Sequence, residues 1–427
     1  MYDIPIAVAV ASKTIRDKIF WIIVAGASVI AIAMGVRQTF GLFLGPFSAD
    51  HGIPITTFAF AVAVQNLVWG LGQPVAGAIA DSHGAGRVVS LGGLLYGAGL
   101  VLTGIGGDVW AAIVGTGVLI GLGLSCTTFA VVLGVVGRAV SPSKRSVALG
   151  LASAGGSLGQ VGIVPMAQNA IDGFGVDAAM LGLSLVAFLI VPLALPLVGR
   201  PKKSSQGPEA GVSLSATQTM ALAGRHSGFL FLTAGFFVCG FQLAFIGTHL
   251  PGYLTTCSLP AALGATAFAV IGFFNMVGTW ACGGLGVRFR FKSLLSILYV
   301  IRGLAILLFL LAPKGEASVL IFATVMGLTW LGTVPLTSGL VAQIFGPRYL
   351  GTLFGLCFLS HQIGSFFGAW LGGYLFDTLG SYDLIWVLTG IAGFVAGILH
   401  MPINDRTIEP ARIGIGPMGT NKVEMTS

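Results

Sequence analysis

Hydrophobic positions in this chain gather into long runs, and nearly all charged positions fall in the short stretches between them. A helix needs roughly 20 apolar residues to cross about 30 Å of hydrocarbon. Twelve runs meet that length, at about 19–47, 56–80, 88–106, 109–137, 146–168, 178–199, 227–254, 262–285, 294–312, 317–345, 352–376 and 384–401. The two-residue alternation of a membrane barrel is absent, and in lipid each run must satisfy its own backbone, so the pattern predicts helices throughout. The longest hydrophilic stretch, Arg200 to Ser227, divides the runs into six and six.

The halves echo one another. Gly77 recurs as Gly283, 206 residues on, while Pro142, Gly150 and Gly159 recur as Pro347, Gly355 and Gly364, 205 residues on. A shared offset points to duplicated bundles with a transport path at their interface. The expected organisation is an all-α membrane protein of two pseudo-symmetric six-helix bundles. Residues 1–199 form the first, 200–226 a cytoplasmic central loop, 227–401 the second, and 402–427 a cytoplasmic tail.

Composition agrees with lipid as the solvent. Of 427 residues, 55% are hydrophobic and 8% charged, and the mean hydropathy of +0.96 exceeds what a water-facing surface can carry. The 65 glycines allow close helix approach where lipid supplies no hydrophobic drive between helices. Cys126, Cys239, Cys257, Cys282 and Cys357 have no metal-ligand spacing and read as packing residues; neither metal nor cofactor is expected. Residues 1–18 carry Asp3 and Asp17 and do not read as a cleavable leader.

The net charge of +7 marks orientation rather than nucleic acid. With the N-terminus inside, cytoplasmic segments hold nearly all the Lys and Arg, among them Lys13, Arg16, Lys18, Arg87, Arg138, Lys144, Arg145, Arg288, Arg290 and Lys292. The opposite side holds only Lys314, beside Asp50, Asp108, Asp172, Asp177, Glu316, Asp377 and Asp383. A multi-pass inner-membrane protein with both termini cytoplasmic is expected, acting as a monomer. Arg37 and Arg302 belong to neither side; they fall inside spans.

The stretch Gly77-Ala-Ile-Ala-Asp81-Ser-His-Gly84-Ala-Gly-Arg87 resembles the G-x-x-x-D-R-x-G-R-[RK] motif of the major facilitator superfamily, with Ser82 where a basic residue is usual. The resemblance implies a gating loop in which Asp81 and Arg87 make charge pairs. Arg37-Gln-Thr-Phe-Gly41, Gln65-Asn-Leu-Val-Trp69-Gly-Leu-Gly-Gln73-Pro74, Gly155-Gly-Ser-Leu-Gly-Gln160, Gly235-Phe-Phe-Val-Cys-Gly-Phe-Gln242 and Gly332-Thr-Val-Pro-Leu-Thr-Ser338 are similar to bacterial monocarboxylate-porter-like members. Such relatives carry small carboxylates by alternating access, with a proton or in exchange for another anion. The eighth run departs from that branch, because residues 262–285 hold no charge where many members place an Arg with an acidic partner.

An Arg within a span costs about 2.5–3.5 kcal/mol on insertion scales, so water, protein or cargo must answer its charge. No Asp or Glu lies within any expected span, and the planar Arg37 guanidinium suits a carboxylate, which makes a substrate anion its natural partner. Snorkelling outward is the alternative. Arg302, mid-span in the ninth run, reads equally as ligand or structural cation. His361, beside Gln362, is the candidate proton carrier or else a neutral histidine held by a neighbouring helix. Gln65, Trp69 and Gln73 share one helix face, as do Gln242, Phe245 and His249. Thr127, Thr128, Asn275, Trp330, Thr333 and Thr337 could complete the pocket, and Pro46, Pro74, Pro165, Pro251 and Pro335 could kink spans.

These residues favour secondary transport of a small organic anion, a monocarboxylate by preference, through proton symport or anion exchange. Export of apolar or drug-like compounds is the alternative, and a non-transporting membrane sensor the reading from another class. No nucleophile elbow or Walker loop suggests an enzyme.

Overall fold

The computed structural model describes residues 4–140, 142–198, 216–345 and 350–407, and it is helical almost throughout. The first half runs α1 Ile4–Arg37, α2 Phe40–His51, α3 Ile55–His83, α4 Ala85–Gly106, α5 Val109–Ala111, a π-helical stretch Ala112–Leu119, α6 Ile120–Thr127, α7 Phe129–Ala139, α8 Pro142–Phe174, α9 Val176–Phe188, α10 Ile190–Leu193 and a 3-10 turn Leu195–Leu197. After α11 Ala216–Arg225 come α12 Ser227–Thr256, α13 Ala261–Leu285, α14 Phe291–Leu311, α15 Glu316–Thr329, α16 Thr333–Phe345, α17 Leu350–Leu379 and α18 Asp383–His400.

Ten helical segments among the described residues are long and apolar enough to span a membrane. Two further long helices, α8 of 33 residues and α17 of 30, occupy the fifth and eleventh expected runs. Large apolar side chains such as Leu158, Leu185, Leu308 and Ile321 are exposed, as a lipid-facing exterior requires.

Several boundaries differ from expectation, including breaks at Thr128 and at 330–332 inside the expected runs 109–137 and 317–345. The first run, expected at 19–47, begins as helix at Ile4 and breaks at Gln38 and Thr39. Within the expected loop at 200–226, residues Ala216–Arg225 are helical. The expected run 178–199 is interrupted near Leu189 and tightens to a 3-10 turn where Pro192 and Pro196 deny the helix their amide hydrogens. Residues 199–215, Pro347 and the tail from 408 onward lie outside the described residues.

The internal repeat reappears as geometry. A Cβ on Gly159 would overlap the Ala31 carbonyl, and one on Gly364 would overlap the Phe237 carbonyl. Both positions bring two backbones into contact, α8 on α1 in one bundle and α17 on α12 in the other. Likewise Gly121 seats against Val68 and Gly327 against Phe274. Pro54 and Pro260 stand at the N-caps of α3 and α13, 206 residues apart.

The bundles meet along α3 with α17, α8 with α13, and α2 with α12. These contacts occupy the middle of the molecule and the face bearing the turns at 52–54, 258–260 and 380–382, called here the far face. There the Asp377 carboxylate accepts hydrogen bonds from the amide (2.8 Å) and hydroxyl (2.6 Å) of Thr56, so α17 caps the N-terminus of α3 in the opposite bundle. Gly41 lies directly against the Gly247 carbonyl. Toward the opposite, terminal face, α7 and α16 pack chiefly within their own bundles. The far face is closed in this structure.

Candidate binding site between the bundles

Helix breaks gather the polar chemistry. Arg37 is the last residue of α1, immediately before the break, and it is half-buried. Its Nη2 donates to Asn66 Oδ1 at 2.6 Å and its Nη1 to Gln38 Oε1 at 3.2 Å. The guanidinium carbon lies 5.1 Å from the Trp69 ring centroid. Its Nε is buried without a partner. The described salt bridges join His51 to Asp177 and Arg290 to Asp405 and leave Arg37 aside.

Arg37 lines a cavity with Gln38, Phe40, Val62 and Gln65 from one bundle and Leu243, Ala244, Gly247 and Thr248 from the other. Its volume of about 10 Å³ is room for a single water. Gln65 donates through Nε2 to the Thr116 carbonyl at 3.1 Å, which fixes its amide orientation and leaves Oε1 without a partner. Trp69 donates its indole N–H to Thr128 Oγ1 at 2.9 Å, at the break between α6 and α7. The structure thus brings Arg37, Gln65 and Trp69 together, with Thr128 behind them. Thr127 turns to its own helix, bonding the Gly123 carbonyl. Gln73 is buried with Oε1 unpartnered.

Asn66, Gln38 and Gln160 form the rest of this network. Gln38 Nε2 donates to Gln160 Oε1 at 3.3 Å, and Gln160 Nε2 crosses to the Phe268 carbonyl at 2.8 Å. Asn275 also crosses, donating to Ser157 Oγ at 2.9 Å. Sequence reasoning passed over Asn66 although it adjoins Gln65. The usable signal was its position one turn before Gly70, on the side of α3 that meets α17.

The second-bundle candidates form a separate cluster. Arg302 is completely buried, and its Nη2 donates to the Trp330 carbonyl at 2.7 Å and also to that of Thr329. Nε reaches Thr329 O at 3.1 Å and Nη1 reaches Cys239 Sγ at 3.2 Å. This guanidinium answers carbonyls freed where α15 breaks from α16. In this conformation the Arg302 donors are taken up by these carbonyls and by Cys239, and Trp330 contributes its carbonyl. Thr333 contacts Cys239 (3.4 Å), so Cys239 is a polar contact as well as a packing residue. Gln242 turns away from the cavity, donating to the Thr389 carbonyl at 3.0 Å. His249 is buried and bonded through Nε2 to the Ala369 carbonyl at 2.7 Å.

His361 is half-buried on α17. Its Nδ1 lies 3.0 Å from Gln362 Oε1, and its ring stacks on Phe358. Gln362 Nε2 in turn donates to the main-chain oxygen of Asn66 at 3.2 Å. His361 therefore sits apart from the Arg37 cavity but is joined to it.

In the expected gating loop, Gly84 adopts a left-handed φ of +94° between α3 and α4, a conformation that favours glycine. Gly77 faces open space and Arg87 is exposed, while the Asp81 side chain lies outside the described residues.

Two bundles related by an internal repeat, closed on one face over a cation-lined interface, define a carrier architecture, and the sequence comparison agrees. A family model described as Major Facilitator Superfamily matches residues 26–356. The chain belongs to that superfamily. It is 28% identical to monocarboxylate transporter 11 of Homo sapiens over 87% of this chain and 80% of that protein. It is 27% identical to monocarboxylate transporter 13 of Bos taurus, over 84% and 83%. A Bacillus subtilis protein, the uncharacterized MFS-type transporter YcxA, is 24% identical over 90% and 96%. Among solved structures, the nucleoside transporter NupG superposes with a TM-score of 0.74 at 12% identity, covering 90% of this chain and 99% of that one. A D-xylose-proton symporter gives 0.68 at 13%, covering 91% and 100%. These likenesses establish a major facilitator transporter related to the monocarboxylate transporters.

Proposed function

We propose that this transporter carries a small organic anion, a monocarboxylate by preference, by alternating access between its two bundles, with Arg37 as the anchor. The observation that carries this reading is the Arg37 guanidinium: it lines the interbundle cavity, its described hydrogen-bond partners are neutral amides, and one of its N–H groups is buried and unpartnered. A carboxylate supplies the missing charge and accepts two parallel hydrogen bonds. Val62, Phe40, Leu243 and Ala244 give a short apolar body its wall. The names of the related monocarboxylate transporters point the same way. With the far face closed and the cavity shrunk to a water's volume, the cargo enters after the bundles rock apart.

The coupling ion is a proton carried by His361, or a second anion in exchange. The terminal face, which bears Arg87, Arg138, Arg288, Arg290 and Lys292, is the cytoplasmic one. Counterflow of labelled lactate, pyruvate and benzoate in proteoliposomes tests the proposal. Exchange by the wild type that is absent in Arg37→Gln supports it. Saturable binding without flux would point to a membrane sensor, and uptake indifferent to Arg37 would refute the anchor.

A further inference from the structure

Arg37 and His361 stand on opposite bundles, yet hydrogen bonds that pass through the body of Asn66 join them. Arg37 Nη2 donates to the Asn66 side chain (2.6 Å), the Asn66 main-chain oxygen accepts from Gln362 Nε2 (3.2 Å), and Gln362 Oε1 faces His361 Nδ1 (3.0 Å). The orientation of each group follows from chemistry. A carbonyl oxygen only accepts, so the amide edge toward Asn66 is the NH₂. Gln362 therefore presents its oxygen to His361, and Nδ1 must carry the hydrogen. Nε2 is then the nitrogen at which the ring gains or loses a proton.

We propose that Gln362 is the residue that couples the proton on His361 to the anion on Arg37, so that anion affinity senses protonation across the bundle interface. This rests on the anion reading above. Proton gain at Nε2 makes the Nδ1–H···Oε1 bond charge-assisted, and such bonds are about twice as strong as neutral ones. Polarisation of the Gln362 amide strengthens its donation to Asn66 in the same sense. The bridge between α3 and α17 is thereby tightened when the ring is charged.

The fold holds Gln362 for this task. It is fully buried, and its side-chain stem lies where Gly70 leaves room on α3, since a Cβ there would meet Gln362 Cβ at 2.7 Å. Around the imidazole, α17 contributes Phe358 and Ser365, α12 contributes Phe236 and Cys239, and Arg302 of α14 stands behind Cys239. No carboxylate is described against His361, so Gln362 is its link to the opposite bundle.

The test is the ratio of proteoliposome uptake at about pH 5.5 to that at about pH 7.5, a window spanning the range in which free imidazole titrates. It is measured with labelled lactate, pyruvate and benzoate for wild type, Gln362→Met, Gln362→Glu, His361→Gln and the double variant His361→Gln/Gln362→Met. Gln362→Met should bring the ratio to about 1, and the double variant should match either single one, because residues acting in one relay are not additive. Gln362→Glu keeps an acceptor on the ring but loses the N–H that donates to Asn66, so it too should bring the ratio to about 1, which preserves a readout should the Met variant not fold. A wild-type ratio in Gln362→Met or in Gln362→Glu, or additive effects in the double variant, would overturn the coupling role while leaving the anchor standing. Absence of Arg37-dependent anion uptake in the wild type would overturn both.

Discussion

Replacing Arg37 by Gln removes the cation but keeps a side chain that can still donate one neutral hydrogen bond. Hydrogen bonds to charged groups contribute about 1.5–3 kcal/mol each, against about 1 for a neutral bond. A carboxylate held by two charge-assisted bonds in the wild type and one neutral bond in the variant therefore loses roughly 3 kcal/mol, about a hundredfold in affinity. Arg37→Lys keeps the charge and loses the fork, for about tenfold. Stability should change little. The variant gives up contacts to Gln38, Asn66 and Trp69, and it also gives up the roughly 2.5–3.5 kcal/mol cost of a cation within the span. Thermal shift of purified protein separates the two effects. At an acid concentration near 100 times the wild-type Kd, the wild type gains about 2.7 kcal/mol and Arg37→Gln only about 0.4. Equal shifts in both proteins would refute the reasoning, and a collapse of the unliganded midpoint would make Arg37 structural.

Arg302→Met should behave oppositely, lowering the thermal midpoint sharply because the buried carbonyls of Thr329 and Trp330 lose their donor at roughly 1–3 kcal/mol each; a wild-type midpoint would contradict its structural role. Gly159→Ala and Gly364→Ala force a methyl into the Ala31 and Phe237 carbonyls and should each cost about 1–3 kcal/mol, read as a lowered midpoint in detergent. Asp377→Ala removes the interbundle cap on α3, weakening far-face closure by about 1 kcal/mol; spin labels at positions 52 and 259 should report a larger separated population. Outside the membrane-spanning segments, the hydrogen bond from Arg290 holds the Asp405 carboxyl below its ordinary value of 3.8. Its stabilising contribution is complete above that value and is lost as pH falls through the depressed one, so Asp405→Asn should lower the midpoint at neutral pH and converge with wild type in strong acid.

Most of the fold was legible because lipid permits so few solutions. A run of twenty apolar residues in hydrocarbon must be a helix, and the recurrence of Gly159 as Gly364 marked a contact that the structure makes twice, against Ala31 and against Phe237. The breaks were not legible. Those at Gln38, Thr128 and Leu331 fall within runs whose averaged hydropathy stays high, and averaging carries no sign of a lost backbone bond. That same blindness explains the site. Arg37 and Arg302 look alike as cations inside spans, and they are told apart only by what the neighbouring break offers: neutral amide side chains in one case, bare carbonyls in the other. Gln242 likewise shares a plausible helix face with His249, but helix rotation turns it toward Thr389. The link between Gln362 and Asn66 joins residues 296 positions apart, a pairing only the packed interface reveals.

The location of a bound acid tests the anchor most directly. In crystals soaked with 2-bromopropionate, an anomalous difference map should place bromine in the interbundle cavity, with the carboxylate about 3 Å from the Arg37 guanidinium. Bromine found only elsewhere, with Arg37 still closed on Asn66 and Gln38, would contradict the account.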